Sequence, residues 1–336
     1  MSGDKQSTSW LSHGERGAML GIQAAFWLAT AAGRRPARAL MYLVALYYRV
    51  FDGATVRASR AWLARAYGRP PTWGEVYRHI LSFAHVTLDR MFLLQGKVAG
   101  LKFSRNGHHH LQRVLAEGRG AVLLGAHLGS YDALRFAGAD EHVPINILGY
   151  FRNAQMISTL FQRLNPDLAA RVIHLGDDPV GVMSSVRERV DRGELVALLG
   201  DRVGIGDRDK VVEAEFFGER ARFPAGPFLL ASLLRCPVFL VFGLYTAPDR
   251  YDLYCEPFAD QLALPRAQRP QALARVVAEY AARLEAYCRQ APLNWFNFFD
   301  FWHRPDEHPV RARRPGPSPA GTASISRGVS DDREPG

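Results

Sequence analysis

From residue 120 onward the chain alternates short apolar runs with stretches of helical periodicity, and this alternation restricts its folds more than any other feature. Runs at 121–124, 145–151, 171–175, 195–199, 238–244 and 251–256 are of strand length. Most lack the polar alternation of a strand with one wet face, so they read as strands buried on both sides. Between them the spacing predicts helices over 132–137, 154–164, 180–192, 226–234 and 267–289. Strand–helix alternation of this kind predicts an α/β fold, with a mostly parallel central sheet flanked by helices. A chain of 336 residues with 48% hydrophobic content has ample material for that core.

In such a sheet, ligands bind beyond the carboxyl ends of the strands. The stretch AVLLGAHLGSYD, residues 121–132, leads from a strand into a histidine framed by Gly125 and Gly129, and then to Asp132. A neutral imidazole titrates near physiological pH and takes a proton readily, which makes His127 the candidate general base. Asp132 is its expected partner, because a carboxylate on the far ring nitrogen fixes the tautomer and stabilises the imidazolium. Residues five apart in a regular helix point about 140° away from each other. The pairing therefore requires His127 to precede the helix that Asp132 enters. Ser130 lacks the second glycine of a nucleophile elbow, so the nucleophile is expected to belong to the substrate.

Three other places share the expected rim. Asp201 and Arg202 directly follow the run 195–199, and Arg152 follows the run 145–151, where an arginine suits a phosphate or carboxylate on a substrate. The helix start at Gly226 and Pro227 offers free backbone N–H groups to an anion or a developing oxyanion. In NWFNFFDFW, residues 294–302, Asn294, Asn297 and Asp300 are spaced to share one helical face. The stretch 200–210 completes neither a P-loop nor an EF-hand. His108, His109 and His110 cannot all face one ion from a helix, and no metal or cofactor is expected. His79 and His85 read as incidental surface residues of a helix over 75–94, for which Thr72 is the cap.

Charge is uneven. Residues 1–119 hold 17 Lys/Arg against 6 Asp/Glu, whereas residues 120–336 hold 25 against 27. Such an excess is drawn to an acidic leaflet, a nucleic acid or an acidic carrier protein. Residues 17–33 carry no charge and sit at the lower limit for spanning a bilayer, which fits lipid better than nucleic acid; a spanning, interfacial or core helix all suit them. Arg49, Arg57, Arg60, Arg65 and Arg69 then interleave with Phe51, Val56, Trp62, Leu63 and Tyr67, as basic aromatic helices at membrane surfaces do. Cys236, Cys255 and Cys288 match no disulfide or zinc spacing and read as core residues in a reducing compartment. The start fits no signal peptide, so the body is expected on the cytoplasmic side.

These residues carry a resemblance. His127-Leu-Gly-Ser-Tyr-Asp132, preceded by Gly125-Ala126, resembles the His-X4-Asp/Glu motif of the lysophospholipid acyltransferase superfamily, and within it the bacterial late acyltransferases of lipid A biosynthesis. Arg152, Gly200-Asp201-Arg202 and Phe216-Phe217-Gly218 leading into Ala225-Gly226-Pro227 extend the likeness over roughly residues 18–302. Two positions depart from it: Asp132 stands where the lipid A enzymes usually carry Glu, and Arg202 where they carry Gln. The NFFDFW ending is similar to a branch of homologues found beside pigment and specialised-lipid pathways. The resemblance implies a glycerolipid acyltransferase-like fold and an attack by a lipid hydroxyl on an acyl thioester, carried by acyl carrier protein or coenzyme A. His127 would be the base, with Asp132 orienting it. Arg152, Asp201, Arg202 and Gly226 would bind substrate, and the apolar helix after Gly226 would wall the acyl chain.

The expected layout is a flexible start over 1–15, a helical, basic, membrane-associating region over 16–105, a catalytic domain over 106–302 and a disordered tail over 303–336. Expected partners are an anionic membrane lipid, an acyl carrier protein and a lipid hydroxyl acceptor, with no nucleic acid, at the cytoplasmic face of a bacterial inner membrane. The alternatives are a (thio)esterase using the same dyad and a non-enzymatic membrane-surface binding protein.

Overall fold

Each of the six apolar runs read as a strand becomes one. The computed structural model describes residues 31–139, 144–149, 165–166, 171–174, 179–203 and 210–302. Within them the order is α1 (Arg34–Phe51), α2 (Gly53–Tyr67), α3 (Trp73–Leu94), β1 (Lys102–Asn106), α4 (His108–Ala116), β2 (Ala121–Gly125), α5 (Tyr131–Ala139), β3 (Ile145–Gly149) and β4 (Val172–His174). There follow α6 (Pro179–Asp191), β5 (Leu195–Leu199), β6 (Val211–Phe216), β7 (Glu219–Pro224), α7 (Gly226–Leu234), β8 (Val238–Thr246), β9 (Arg250–Ala259) and α8 (Arg269–Gln290), with short 3-10 turns at Arg266–Gln268 and Pro292–Asn294. The helix read over 154–164, the start over 1–15, most of the uncharged run 17–33 and the tail over 303–336 lie outside the described residues. No described helix is long and apolar enough to cross a membrane.

Seven strands form one sheet in the order β1-β9-β8-β2-β5-β3-β4, parallel throughout except for the β8–β9 pair. β2 lies at its centre between β5 and β8, and all five of its residues are buried. That position explains its unbroken apolar run. Side chains alternate between the two faces. Val122 and Leu124 join Phe228 of α7 and Val277 and Tyr280 of α8 on one face, while Ala121 and Leu123 join Leu111 of α4 on the other.

Two features escape the periodicity. β1 is a short edge strand, KFSRN, with a single large apolar residue. β6 and β7 form a separate antiparallel hairpin in which Glu213 opposes Arg222 and Glu215 opposes Arg220, so its exposed face reads as charge rather than as strand. Its turn residues Phe217 and Gly218 both have positive φ, 55° and 76°, the backbone that a two-residue hairpin turn with the right twist demands.

Two of the three leading helices carry side-chain caps. Asp52 accepts hydrogen bonds from the N–H groups of Ala54 and Thr55 at the start of α2, and Thr72 and Glu75 form a capping box at the start of α3. Trp62 and Leu63, read as part of a basic surface, are instead core. The Trp62 indole donates to the Pro292 carbonyl at 2.8 Å and packs against Trp295 and Phe217, at ring separations of 4.4 and 5.0 Å. His79 and His85 are buried as well, correcting the surface reading. His79 bridges Ser59 of α2 (2.8 Å) and the Trp295 carbonyl (3.0 Å), and burial depresses its pKa to about 4, so it is a neutral tie rather than a titrating group. Because Trp62 fills the junction of α2, the hairpin turn and the C-terminal segment, Trp62→Ala is expected to destabilise the protein by about 3–5 kcal/mol in denaturant unfolding.

Candidate active site

β2 and β5 run side by side with Gly125 level with Leu199, so the two chains leave the sheet together. His127 emerges from one and Asp201 from the other. The turn carrying His127 lies directly across β8. Gly129, at φ 69°, lets this happen, since a Cβ there would come within 1.9 Å of the Gly243 carbonyl oxygen. Gly243 permits the approach from the other side, where a Cβ would meet the Ser130 carbonyl oxygen at 2.3 Å. The sequence reading gave Gly129 a role but missed Gly243.

Asp201 grips His127 twice. One carboxylate oxygen meets the ring Nδ1 at 2.8 Å and the other accepts the His127 backbone N–H at 3.0 Å. Asn297 donates its Nδ2 to the second oxygen at 2.9 Å, and its own Oδ1 accepts from Arg202 Nε at 2.6 Å. Arg202 Nη2 also donates to the Phe296 carbonyl at 2.8 Å. Asp201 has no solvent exposure, and burial alone would raise its pKa. The imidazole, Arg202 and Asn297 outweigh that and bring it down to about 2. An ionised carboxylate only accepts hydrogen bonds, so Nδ1 carries the proton and Nε2 keeps its lone pair. The imidazole's own pKa lies below its ordinary value: burial lowers it, Asp201 opposes this, and Arg202 and Arg90 lower it further. With its side chain 27% exposed, His127 is a neutral base open to a ligand.

This corrects the expected pairing. The carboxylate on the imidazole is that of Asp201, whereas Asp132 is buried in the first turn of α5 and accepts from Arg90 Nε of α3 at 2.6 Å. Ser130 is also buried, and its Oγ accepts the Ala133 N–H, capping α5. Arg202 stands on the rim as expected. Arg152 lies outside the described residues. Gly226 begins α7, exposed, and among the described residues no hydrogen bond joins it to His127 or Asp201.

The segment 294–302 does not continue as a helix, so Asn294, Asn297 and Asp300 share no helical face. It runs as a strap across the site. Asn294 accepts the Gly129 N–H on its carbonyl, and its side chain binds both backbone groups of Tyr245. Trp295 pairs with Leu128, and the Phe296 N–H donates to the His127 carbonyl at 2.8 Å. Asn294 and Asn297 were singled out in the sequence, but their part in the site depends on extended backbone that spacing alone could not show.

Beside the strap lies an apolar cleft of about 190 Å³, lined by Met41, Val44, Ile80, Phe83, Ala84 and Met91 among others, with Phe298 as one wall. Phe298 directly follows Asn297, which links the cleft to the His127 web. α7, the expected wall for an acyl chain, instead buries Phe228, Ala231 and Leu234 in the main core.

A family profile described as bacterial lipid A biosynthesis acyltransferase matches residues 82–304. The chain belongs to that family. The match takes in most of α3, the whole sheet and the strap, and so every residue of the His127–Asp201–Asn297–Arg202 web. In this lipid A acyltransferase family member, similarity also extends to two phosphatidylinositol mannoside acyltransferases of Mycobacterium tuberculosis, from strains ATCC 25618 / H37Rv and CDC 1551 / Oshkosh. Each is 29% identical over 167 residues, covering 49% of this chain and 48% of the relative. The chain thus spans about half the length of the curated relatives it matches.

The His127 environment makes a testable statement about charge. The His127 resonance in an NMR titration is expected to titrate below 6.5, and in Asp201→Asn, which removes a negative charge that stabilises the imidazolium, lower still. An upward move in that variant would contradict the assignment.

Proposed function

We propose that this chain is a membrane-associated O-acyltransferase that moves a fatty acyl group from an acyl thioester to a hydroxyl of a lipid or glycolipid. The carrying observation is the buried, ionised Asp201 holding His127 Nδ1–H, which leaves the Nε2 lone pair free to act as a base. Family membership and the mannoside acyltransferases support the same chemistry.

In the proposed step, His127 Nε2 takes the proton of the acceptor hydroxyl as its oxygen attacks the thioester carbonyl. The tetrahedral intermediate collapses, the C–S bond breaks, and the imidazolium returns the proton to the departing thiolate. Asp201 stabilises the imidazolium between those events, and Asn297 and Arg202 keep Asp201 in place. Asp132 is a positioning residue: it ties Arg90 of α3 to α5, the helix that follows the His127 turn. The cleft between α1, α2 and α3 takes the acyl chain, since its lining is almost wholly apolar and its wall Phe298 directly follows Asn297 of the His127 web. The donor is acyl carrier protein or coenzyme A, and Arg202 with Arg152 serves its phosphate or that of the acceptor.

Membrane association is supported by α1. Tyr42, Leu43, Leu46, Tyr47, Val50 and Phe51 form one outward stripe, with exposures from 41% at Leu46 to 73% at Phe51. An exposed apolar helix face of this size in a basic region suits the headgroup boundary of a bilayer. The proposed location is the cytoplasmic face of a bacterial inner membrane.

The test is transfer of labelled acyl groups from a thioester to lipid extract, with free fatty acid counted separately. His127→Ala is expected to abolish transfer with folding intact, and Asp201→Asn to lower it by roughly 10²–10⁴-fold. Asp132→Asn is expected to cost less than Asp201→Asn. Retained transfer by His127→Ala, or free fatty acid formed equally with and without acceptor, would overturn the reading. Filling the cleft with Ala84→Trp is expected to shift preference to shorter acyl chains, measured as the ratio of rates with long and short donors.

A further inference from the structure

Arg49, in the last turn of α1, is 8% exposed, and its Nε is buried without an acceptor. Among the described residues no ion pair or hydrogen bond reaches its guanidinium. The nearest carboxylate in sequence, Asp52, is already occupied as the cap of α2, where it accepts from Ala54, Thr55 and the Thr55 hydroxyl. The other arginines of this region divide sharply. Arg65 holds Glu219 and Arg69 holds Glu75, both at salt-bridge distance. Burial, by contrast, weakens the hold of Arg49 on its proton and the charge of Arg60 weakens it further, while Arg57 folds over Gly53 at the α1–α2 turn.

A covered guanidinium with a second cation nearby and no acceptor is unfavourable. Trp73 offsets part of this, since the Arg49 guanidinium sits 4.8 Å from the centre of its ring, and Trp73 stacks in turn on Tyr77 at 5.6 Å. Among the described residues none supplies a negative charge to that guanidinium. The arrangement asks for an acceptor-rich anion, and a planar guanidinium fork matches phosphate oxygens. Its surroundings name the source: Val50, Phe51 and Trp73 are all more than half exposed around it, a setting that a phosphate dissolved in water does not require and that one at a bilayer surface does.

We propose that Arg49, with Arg60 and the ring of Trp73, forms a site for the phosphate of an anionic phospholipid, seated where the apolar stripe of α1 meets the bilayer. The site rests on the membrane-association reading and adds to it a lipid class and a fixed point of contact. It lies outside the segment matched by the family profile, which begins at residue 82 within α3.

The test is co-sedimentation of the full chain with phosphatidylcholine vesicles, with and without phosphatidylglycerol, at physiological salt. Arg49→Gln is expected to weaken partitioning onto the phosphatidylglycerol vesicles by about fivefold, the share of one basic group at an anionic surface, and to leave binding to phosphatidylcholine unchanged. Arg275→Gln makes the same charge change at an exposed position of α8 and is expected to have no effect. If Arg49→Gln lowers the melting temperature, Arg60→Gln, at an exposed position, is the variant to read, with a loss again larger than that of Arg275→Gln. Equal losses in the Arg49 and Arg275 variants would reduce the effect to net charge and overturn the site. Equal binding of the unaltered protein to both vesicle types would overturn the site and leave membrane association standing. Binding to neither would overturn both. Inorganic phosphate that raises the melting temperature of the unaltered protein, but not of Arg49→Gln, and releases the protein from vesicles would replace the lipid with free phosphate and overturn the proposal.

Discussion

The double grip of Asp201 on His127 is the contact on which the rest of this structure turns. It ties together the ends of two neighbouring parallel strands, and it binds both the ring and the backbone of the same residue. An ionised carboxylate without solvent exposure is sustainable only if its hydrogen bonds are satisfied. The strap over 294–302 supplies that through Asn297, and Arg202 fixes which way the Asn297 amide faces. Remove the strap and Asp201 loses one of its donors; remove Asp201 and Nδ1 of the imidazole has nothing to hold its proton in place.

The strap in turn is held by the leading helices. Trp62 of α2 donates to Pro292, and His79 of α3 binds the Trp295 carbonyl. Arg34 and Tyr251 share the buried carboxylate of Asp89, joining α1, α3 and the outer part of the sheet. These helices are thus not a separate appendage. They complete the fold of the site, which is why a region read as basic surface turned out to bury Trp62, Leu63, His79 and His85.

What the sequence disclosed follows from the range of each interaction. AVLLG announced a central strand because burial on both faces leaves no room for polar alternation, and Thr72 with Glu75 announced a helix start because a capping box is local. His127 was identifiable for the same reason, being framed by its own glycines. Its partner was not, because Asp132 and Asp201 are both plausible carboxylates in sequence, and only the adjacency of β2 and β5 decides between them. The signal was nonetheless present, since Asp201 follows a buried run in the same way that His127 does. β1 and the β6–β7 hairpin stayed hidden because an edge strand and a charged ladder carry little apolar pattern. The strap was misread as helical because three-residue spacing of polar groups fits a helix face and, equally, an extended segment whose contacts come from elsewhere.

The place of the strap in the chain has a consequence for synthesis. Every strand of the sheet precedes it, so a ribosome has translated the whole sheet, including both residues of the His127–Asp201 pair, before Asn297 is made. Until then the buried carboxylate lacks a donor, and the turn bearing His127 lacks its pairing with Trp295 and the Phe296 N–H. A nascent chain that has folded its sheet therefore still has an unfinished base. The hydrogen-bond web around His127 is therefore completed by the docking of this late stretch, after the strands of the core have been made.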